Sequence, residues 1–214
     1  LWDRKKHELH LVRDRLGIKP LYYGRFNNIF LFGSELRALG VNPACTRIPD
    51  INSIALYMRY SCVPAPWSIW EDTKKLEPGK HLIIDSKGNE KLRTYWSVYE
   101  CAQKGKESFF TGDLSEAVDH THTLLNEAVS SRLVADVPIG LLLSGGIDSS
   151  TIAAVSQENS SNPLKTFTIG LENPTYDESH SAASIASYLG TDHNDLVITA
   201  EDALSVVPDM INIY

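Results

Sequence analysis

The chain has 214 residues, 43% hydrophobic and 22% charged, with a net charge of −7. These values describe an ordinary globular protein and exclude low-complexity and collagen-like chains, and no apolar run reaches the length of a membrane span. Cys45, Cys62 and Cys101 are few and far apart, which excludes a disulfide framework and a C-x-x-C metal site, leaves them as expected packing residues and makes a cytoplasmic setting the expectation.

The opening of the chain is β-rich. Residues 9–13 alternate as a half-buried strand, residues 21–24 and 29–32 flank Phe26-Asn27-Asn28 as a hairpin, and Ser34-Glu35 start a short helix through Leu39. A helix over 50–60 follows, with Asp50 as N-cap and Ile51, Ile54, Ala55 and Met58 on one face. Pro64-Ala65-Pro66 breaks the chain. Glu77-Pro78-Gly79-Lys80 reads as a turn, residues 82–84 as a strand and residues 86–89 as another turn.

Residues 98–112, rich in Lys, Gly and Ser, read as a linker between a domain over 1–97 and another over 113–214. Charge supports the division: residues 1–106 carry 18 Lys/Arg against 11 Asp/Glu, and residues 107–214 carry 2 against 16. Only Arg132 and Lys165 are basic in the second half, which makes nucleic acid an unexpected partner. That half alternates helix and strand: a long helix opened by Asp113 and Glu116 as a capping box and carrying Leu114, Val118, Leu125, Val129 and Leu133; a buried strand over 139–143; a helix over 149–158; a strand over 166–171; a helix over 178–189 stopped by Gly190; a strand over 195–198; and a last helix from Thr199. The pattern is that of a parallel α/β sheet.

Between the 139–143 strand and its following helix stands Ser144-Gly145-Gly146-Ile147-Asp148-Ser149. Two glycines let backbone N–H groups approach a ligand without a Cβ in the way, and the helix adds its unpaired N-terminal donors and positive dipole end. Asp148 at the mouth of such an anion cradle requires a cation, and Mg²⁺ favours a few carboxylate oxygens together with phosphate oxygens. The spacing excludes a Walker A loop, since no Lys follows Gly146, and a nucleophile elbow, since Leu142 stands two places before Ser144. S-G-G-x-D-S after an apolar strand resembles the pyrophosphate loop of the PP-loop ATP pyrophosphatases. Leu142 and Ile169, at the carboxyl ends of neighbouring strands, are placed either in the core or against an adenine.

A longer series extends the resemblance. Arg13 to Tyr23, Phe32 to Leu39, Val63-Pro64-Ala65-Pro66, Glu77-Pro78-Gly79, Tyr95-Trp96, the Ser144 loop, Thr166 to Gly170, Tyr176-Asp177-Glu178 and Leu189 to His193 are similar, in the same order, to glutamine-hydrolysing asparagine synthetases. The resemblance implies an α+β and α/β two-domain protein: an N-terminal-nucleophile glutaminase domain with layered antiparallel sheets and helices, then a parallel-sheet, Rossmann-like PP-loop domain. It implies a ligase that adenylates a carboxylate, aspartate above all, with ATP and Mg²⁺ and amidates it with ammonia from glutamine, releasing AMP and pyrophosphate. A sugar acid or other carboxylate as acceptor, or a nucleotide-binding protein without turnover, are the alternatives. A homodimer is among the expectations, a membrane partner is not.

By position, Asp14 resembles the family's residue for the glutamine ammonium, with a salt-bridged turn between Arg13 and Arg15 as its plain alternative. Leu142 and Ile169 resemble its adenine contacts, Ser144, Gly145, Gly146, Asp148 and Ser149 its ATP loop, and Asp148 its Mg²⁺ ligand. The family's N-terminal Cys nucleophile and its second motif, S-G-E-G-x-D-E, have no counterpart in these residues, so no catalytic residue is assigned and the chain is expected to be an internal piece of a longer enzyme. Tyr176-Asp177-Glu178 has an equally good reading as helix-end carboxylates that suit the dipole. His193 is read as structural.

Overall fold

The structure, a computed structural model, describes residues 1–213 and divides into two compact units, Leu1–Phe109 and Phe110–Tyr214.

The first unit holds two antiparallel sheets. Strands β1 (Trp2–Asp3), β2 (Glu8–Val12), β6 (Lys80–Ile84) and β7 (Glu90–Thr94) form one in that order, and β4 (Ile29–Gly33), β3 (Tyr22–Phe26) and β5 (Thr73–Lys75) form the other. Leu1 is tied into the first ladder through reciprocal backbone bonds with His10. The hairpin joining β3 and β4 turns at Asn27, whose φ of 55° lies in the left-handed region that Asn tolerates better than most residues. Register sets Leu11 opposite Leu82. Both join Tyr23, Leu76 and Ile84 in one buried cluster that draws on both sheets, and burying this apolar surface is the main source of the unit's stability. A second cluster, Phe26, Leu39 and Cys45, seats helix α1 (Leu36–Gly40).

Helix α2 (Ile51–Tyr60) begins at Asp50, whose carboxylate accepts from the amides of Asn52 and Ser53. The expected apolar face points the other way. Ile51 and Met58 are almost fully exposed and Ser53 is the buried residue, because periodicity shows which residues share a face and not which face is covered. The stretch read as a linker is helical over α3 (Val98–Glu107), N-capped by Ser97 and with no buried residue. Gly105 and the charged composition hid it, since Gly disfavours a helix interior without forbidding it. Cys45 is buried and its thiol pKa is raised by desolvation, as a packing residue should be. Cys62 and Cys101 are exposed, which corrects the packing expectation for them.

The second unit opens with α4 (Leu114–Ser130), where Asp113 and Glu116 form the capping box. Val129 is buried, whereas Leu114 and Val118 are exposed, so the expected stripe is covered only at its C-terminal end. Strands β8 (Gly140–Leu142), β9 (Lys165–Leu171) and β10 (Asp192–Ile198) are parallel in the order β10-β9-β8. Helices α5 (Ile147–Glu158) and α6 (Ser179–Leu189) make the two crossovers. Successive crossovers of one hand that step in one direction leave their helices on one face. There Leu143, Ala153, Ala182 and Ala186 form the core, with Ile185 and Leu189 against it. Small alanines let the helices approach closely. The other face, with Leu142, Phe167, Ile169 and Leu196, is uncovered among the described residues. Gly190 ends α6 at φ 71°. The chain closes with α7 (Ala200–Val206), capped by Thr199 and Asp202, and the short α8 (Met210–Ile213). No helix among the described residues is long and apolar enough to cross a membrane.

Candidate functional site

The end of β8 runs into the Ser-Gly-Gly turn through a fixed joint. Leu143 donates its amide to the Phe167 carbonyl at 2.8 Å, and the buried Thr168 hydroxyl donates to the Leu143 carbonyl at 2.6 Å. Both backbone groups of Leu143 are thereby tied to β9, and the turn leaves the carboxyl end of the sheet from a set position. Helix α5 starts at Ile147, two residues before the expected start, with Gly146 as an N-cap that supplies no side-chain cap. Asp148 and Ser149 therefore lie in the first helical turn, where a carboxylate also suits the dipole.

Inside the turn the serines bind each other. Ser144 Oγ lies 2.8 Å from Ser149 Oγ, the Ser144 amide donates to Ser149 Oγ at 3.2 Å, and the Gly146 amide donates to Ser144 Oγ at 3.3 Å. The Ser150 hydroxyl donates to the Gly146 carbonyl at 2.6 Å. The Gly145 amide donates to Glu178 Oε2 at 3.3 Å. The amides of Ser144, Gly145 and Gly146, expected to be open, are thus held by long bonds of 3.2 to 3.3 Å to acceptors within the unit. Gly145 has a packing reason as well: an added Cβ would meet the Ser181 Cβ at 2.7 Å.

Leu142 and Ile169 are 77% and 60% exposed, which removes the core reading for both. The 139–143 strand, expected to be buried, is so only at Leu143. Because Leu142 pairs with Phe167, Ile169 stands two residues further along the same face. The two side chains offer apolar surface next to the turn, on the face that α5 and α6 leave open. Asp148 is exposed, and no group of three His, Cys, Asp or Glu that could hold a metal occurs among the described residues. This donor set suits a cation carried mainly by phosphate oxygens and water rather than a closed protein cage. Neither cation of the unit serves the turn: Arg132 donates to the Ala128 carbonyl on α4, and Lys165 starts β9 at the opposite end of the sheet. His193 also lies at that far end, its Nδ1 2.9 Å from Thr166 Oγ1.

Asp177 braces α6 against the sheet. Its carboxylate accepts from the Leu171 amide, the Ser179 amide and the Ser179 hydroxyl, and these bonds, those of Ser179 foremost, hold its pKa below the ordinary aspartate value. Sequence reasoning read Glu178 only as a helix-end carboxylate and Thr168 only as part of a strand motif, and foresaw neither contact with the turn. A Thr in a strand and a Glu at a helix start carry no signal of a contact 25 to 33 residues away.

In the first unit Asp14 is not salt-bridged to either neighbouring arginine. Oδ1 accepts from the amides of Leu16 and Ile18 and Oδ2 from that of Lys19, and these bonds, that of Ile18 foremost, lower its pKa. Arg13 is buried and donates to the carbonyls of Lys19, Leu76 and Gly17 at 2.9, 2.6 and 2.9 Å. Gly17, at φ 68°, has no room for a Cβ, which would lie 2.8 Å from the Pro78 ring. Arg13 and Asp14 together make the 13–19 turn rigid.

The model of the glutamine amidotransferase domain matches residues 1–96 and that of asparagine synthase matches residues 120–214. Asparagine synthetase [glutamine-hydrolyzing] 1 of Bacillus subtilis is 32% identical over 99% of this chain and 32% of its own length. Asparagine synthetase [glutamine-hydrolyzing] 3 of the same organism is 29% identical over 99% and 36%. Amidase chry2 of Gibberella zeae is 32% identical over 95% and 31%. The chain spans about a third of the length of these curated relatives. Two domain matches in the order the family requires, on two separate compact units, show that the chain belongs to the family of glutamine-hydrolysing asparagine synthetases.

Proposed function

We propose that the protein serves the ATP-dependent amidation of a carboxylate, aspartate to asparagine, with ammonia released from glutamine. In this reading residues 1–97 belong to a glutaminase domain of the N-terminal-nucleophile type, and residues 113–214 to a PP-loop domain that adenylates the acceptor. An acceptor carboxylate oxygen attacks the α-phosphorus of ATP, and the bond to pyrophosphate breaks with its electrons going to the leaving group. Ammonia then attacks the acyl carbon, the bond to AMP breaks, and the surplus proton leaves the nitrogen for solvent.

The observation that carries the reading is the Ser144–Ser149 turn, set by Thr168 and Leu143 at the carboxyl end of the sheet and opening onto the uncapped start of α5. The amides of Gly145 and Gly146 and the first turn of α5 receive the pyrophosphate oxygens, where donors aimed at developing charge are most effective. Ser144 and Ser149 exchange their mutual bond for bonds to phosphate. Leu142 and Ile169 lie against the adenine. Asp148 would hold Mg²⁺ together with phosphate oxygens, and the ion supplies charge neutralisation there. Asp14, with three of its about four lone-pair directions taken by backbone amides, keeps one for the glutamine ammonium.

Asp148→Asn in the full-length protein tests the reading. AMP formation should fall by at least about a hundredfold, the scale of losing one electrostatic stabiliser, while glutamine hydrolysis continues. Unchanged AMP formation would remove Asp148 from the metal. An acceptor other than aspartate is the second reading, favoured by the similarity to a relative named an amidase and not an asparagine synthetase. Assay of AMP release with a panel of carboxylates separates the two.

A further inference from the structure

We propose that Glu178 makes the cradle selective for metal-loaded polyphosphate over bare anions, by keeping its own carboxylate on the Gly145 amide until such a ligand displaces it. The inference rests on the reading of the Ser144–Ser149 turn given above. Glu178 Oε2 accepts the Gly145 N–H at 3.3 Å, the bond a phosphate oxygen would take. It occupies the N-cap position of α6 yet makes no side-chain bond to the amides of its own helix. Capping, the ordinary task of a carboxylate at a helix start, is therefore not what this one does. Its neighbour Asp177 holds the helix end instead, through Leu171 and Ser179.

The position of Glu178 is set by packing on both sides. Gly145 approaches Ser181 so closely that no Cβ fits, and a Cβ on Gly170 would lie 3.2 Å from Asp177 Oδ1 and from Ser179 Cβ. The segment 177–181 is pinned between two glycines, and the side chain of Glu178 is delivered to the turn by backbone geometry.

Charge then decides which ligand enters. A metal-free polyphosphate meets the carboxylates of Glu178 and Asp148 with no balancing cation, because Arg132 is bonded to α4 and Lys165 stands at the far end of β9. A magnesium-loaded polyphosphate brings the missing positive charge. It can take the Gly145 amide while the displaced carboxylate turns to solvent, where Glu178 is already exposed.

The test is titration calorimetry of the full-length protein with inorganic pyrophosphate, once with magnesium and once with a chelator. The native protein should bind the magnesium form at least about tenfold more tightly, and Glu178→Gln should narrow that ratio to about threefold, because one of the two carboxylate charges that repel the metal-free form is gone. Glu172→Gln removes an exposed carboxylate with no bond to the turn and should leave the ratio unchanged. An unaltered ratio in Glu178→Gln, or an equal narrowing in Glu172→Gln, overturns the proposal while the nucleotide reading stands. Failure of the native protein and the variant alike to bind magnesium pyrophosphate overturns both.

Discussion

The hydroxyls of Ser144 and Ser149 lie 2.8 Å apart across the turn, and each also serves the backbone: Ser144 Oγ accepts from the Gly146 amide, and Ser149 Oγ accepts from the Ser144 amide. The pair closes the turn before any ligand arrives. Ser149→Ala removes this latch at a cost of about 0.5–1.5 kcal/mol per bond. Nucleotide affinity, read by calorimetry in the full-length protein, should fall about threefold to tenfold, together with a lower thermal midpoint, since the hydroxyl also bonds the turn's own backbone.

Thr168→Val should lower stability as well as affinity. Its hydroxyl satisfies the Leu143 carbonyl at a buried site, and Val has nearly the same shape without the donor. Leaving that carbonyl unpaired costs about 1–3 kcal/mol. A lower thermal midpoint is expected, with a further loss of nucleotide affinity because the turn springs from Leu143. An unchanged midpoint would show that another donor reaches the carbonyl.

Arg13→Lys tests the 13–19 turn. One ammonium cannot reach three carbonyls that lie in different directions as a planar fork does. At least two of these buried or half-buried bonds are lost, each worth up to about 1.5–3 kcal/mol when charge-assisted. Hydrogen exchange at Gly17, Ile18 and Lys19 should accelerate markedly, while the amides of the second unit keep their rates.

Asp177 predicts an acid sensitivity of the α6 start. Its folded pKa is lowered, first by the Ser179 amide and hydroxyl and then by the Leu171 amide. The stabilisation from its ionised form is therefore fully present above the ordinary unfolded value of about 4. It is lost as the pH falls through the lower folded value. The Asp177 carboxyl carbon should titrate below the ordinary range by NMR, and Asp177→Asn should remove the dependence of the Ser179 amide shift on acid. Ordinary titration of Asp177 would refute the brace.

Much of the local structure was legible in the residues because local chemistry dictates it. Asp50, Asp113 and Thr199 cap the helices that follow them, Gly190 takes the left-handed conformation that ends α6, and Asn27 turns the β3–β4 hairpin. Each effect acts within about four residues. Burial was less legible, because it depends on what lies opposite. The apolar face of α2 and the first half of the α4 stripe point to solvent, and Leu142, as plausible a core residue as Leu143 by type, lies on the uncovered face of the sheet. The alternation within β9 was visible as a strand, and only the crossovers decided which of its two faces would be covered.

The order of motifs by itself pointed to the family, and the alternation of helix and strand to the parallel α/β character of the second half; the S-G-G-x-D-S spacing is what proposes an anion cradle at the Ser144–Ser149 turn. Tertiary structure decided how that cradle is held. The Thr168 bond to Leu143, the brace from Asp177 to Leu171 and the contact of Glu178 with Gly145 join residues 6 to 33 positions apart. Such contacts leave no periodicity or spacing in a single chain, because the partners become neighbours only when crossovers of one hand bring β8, β9 and α6 side by side.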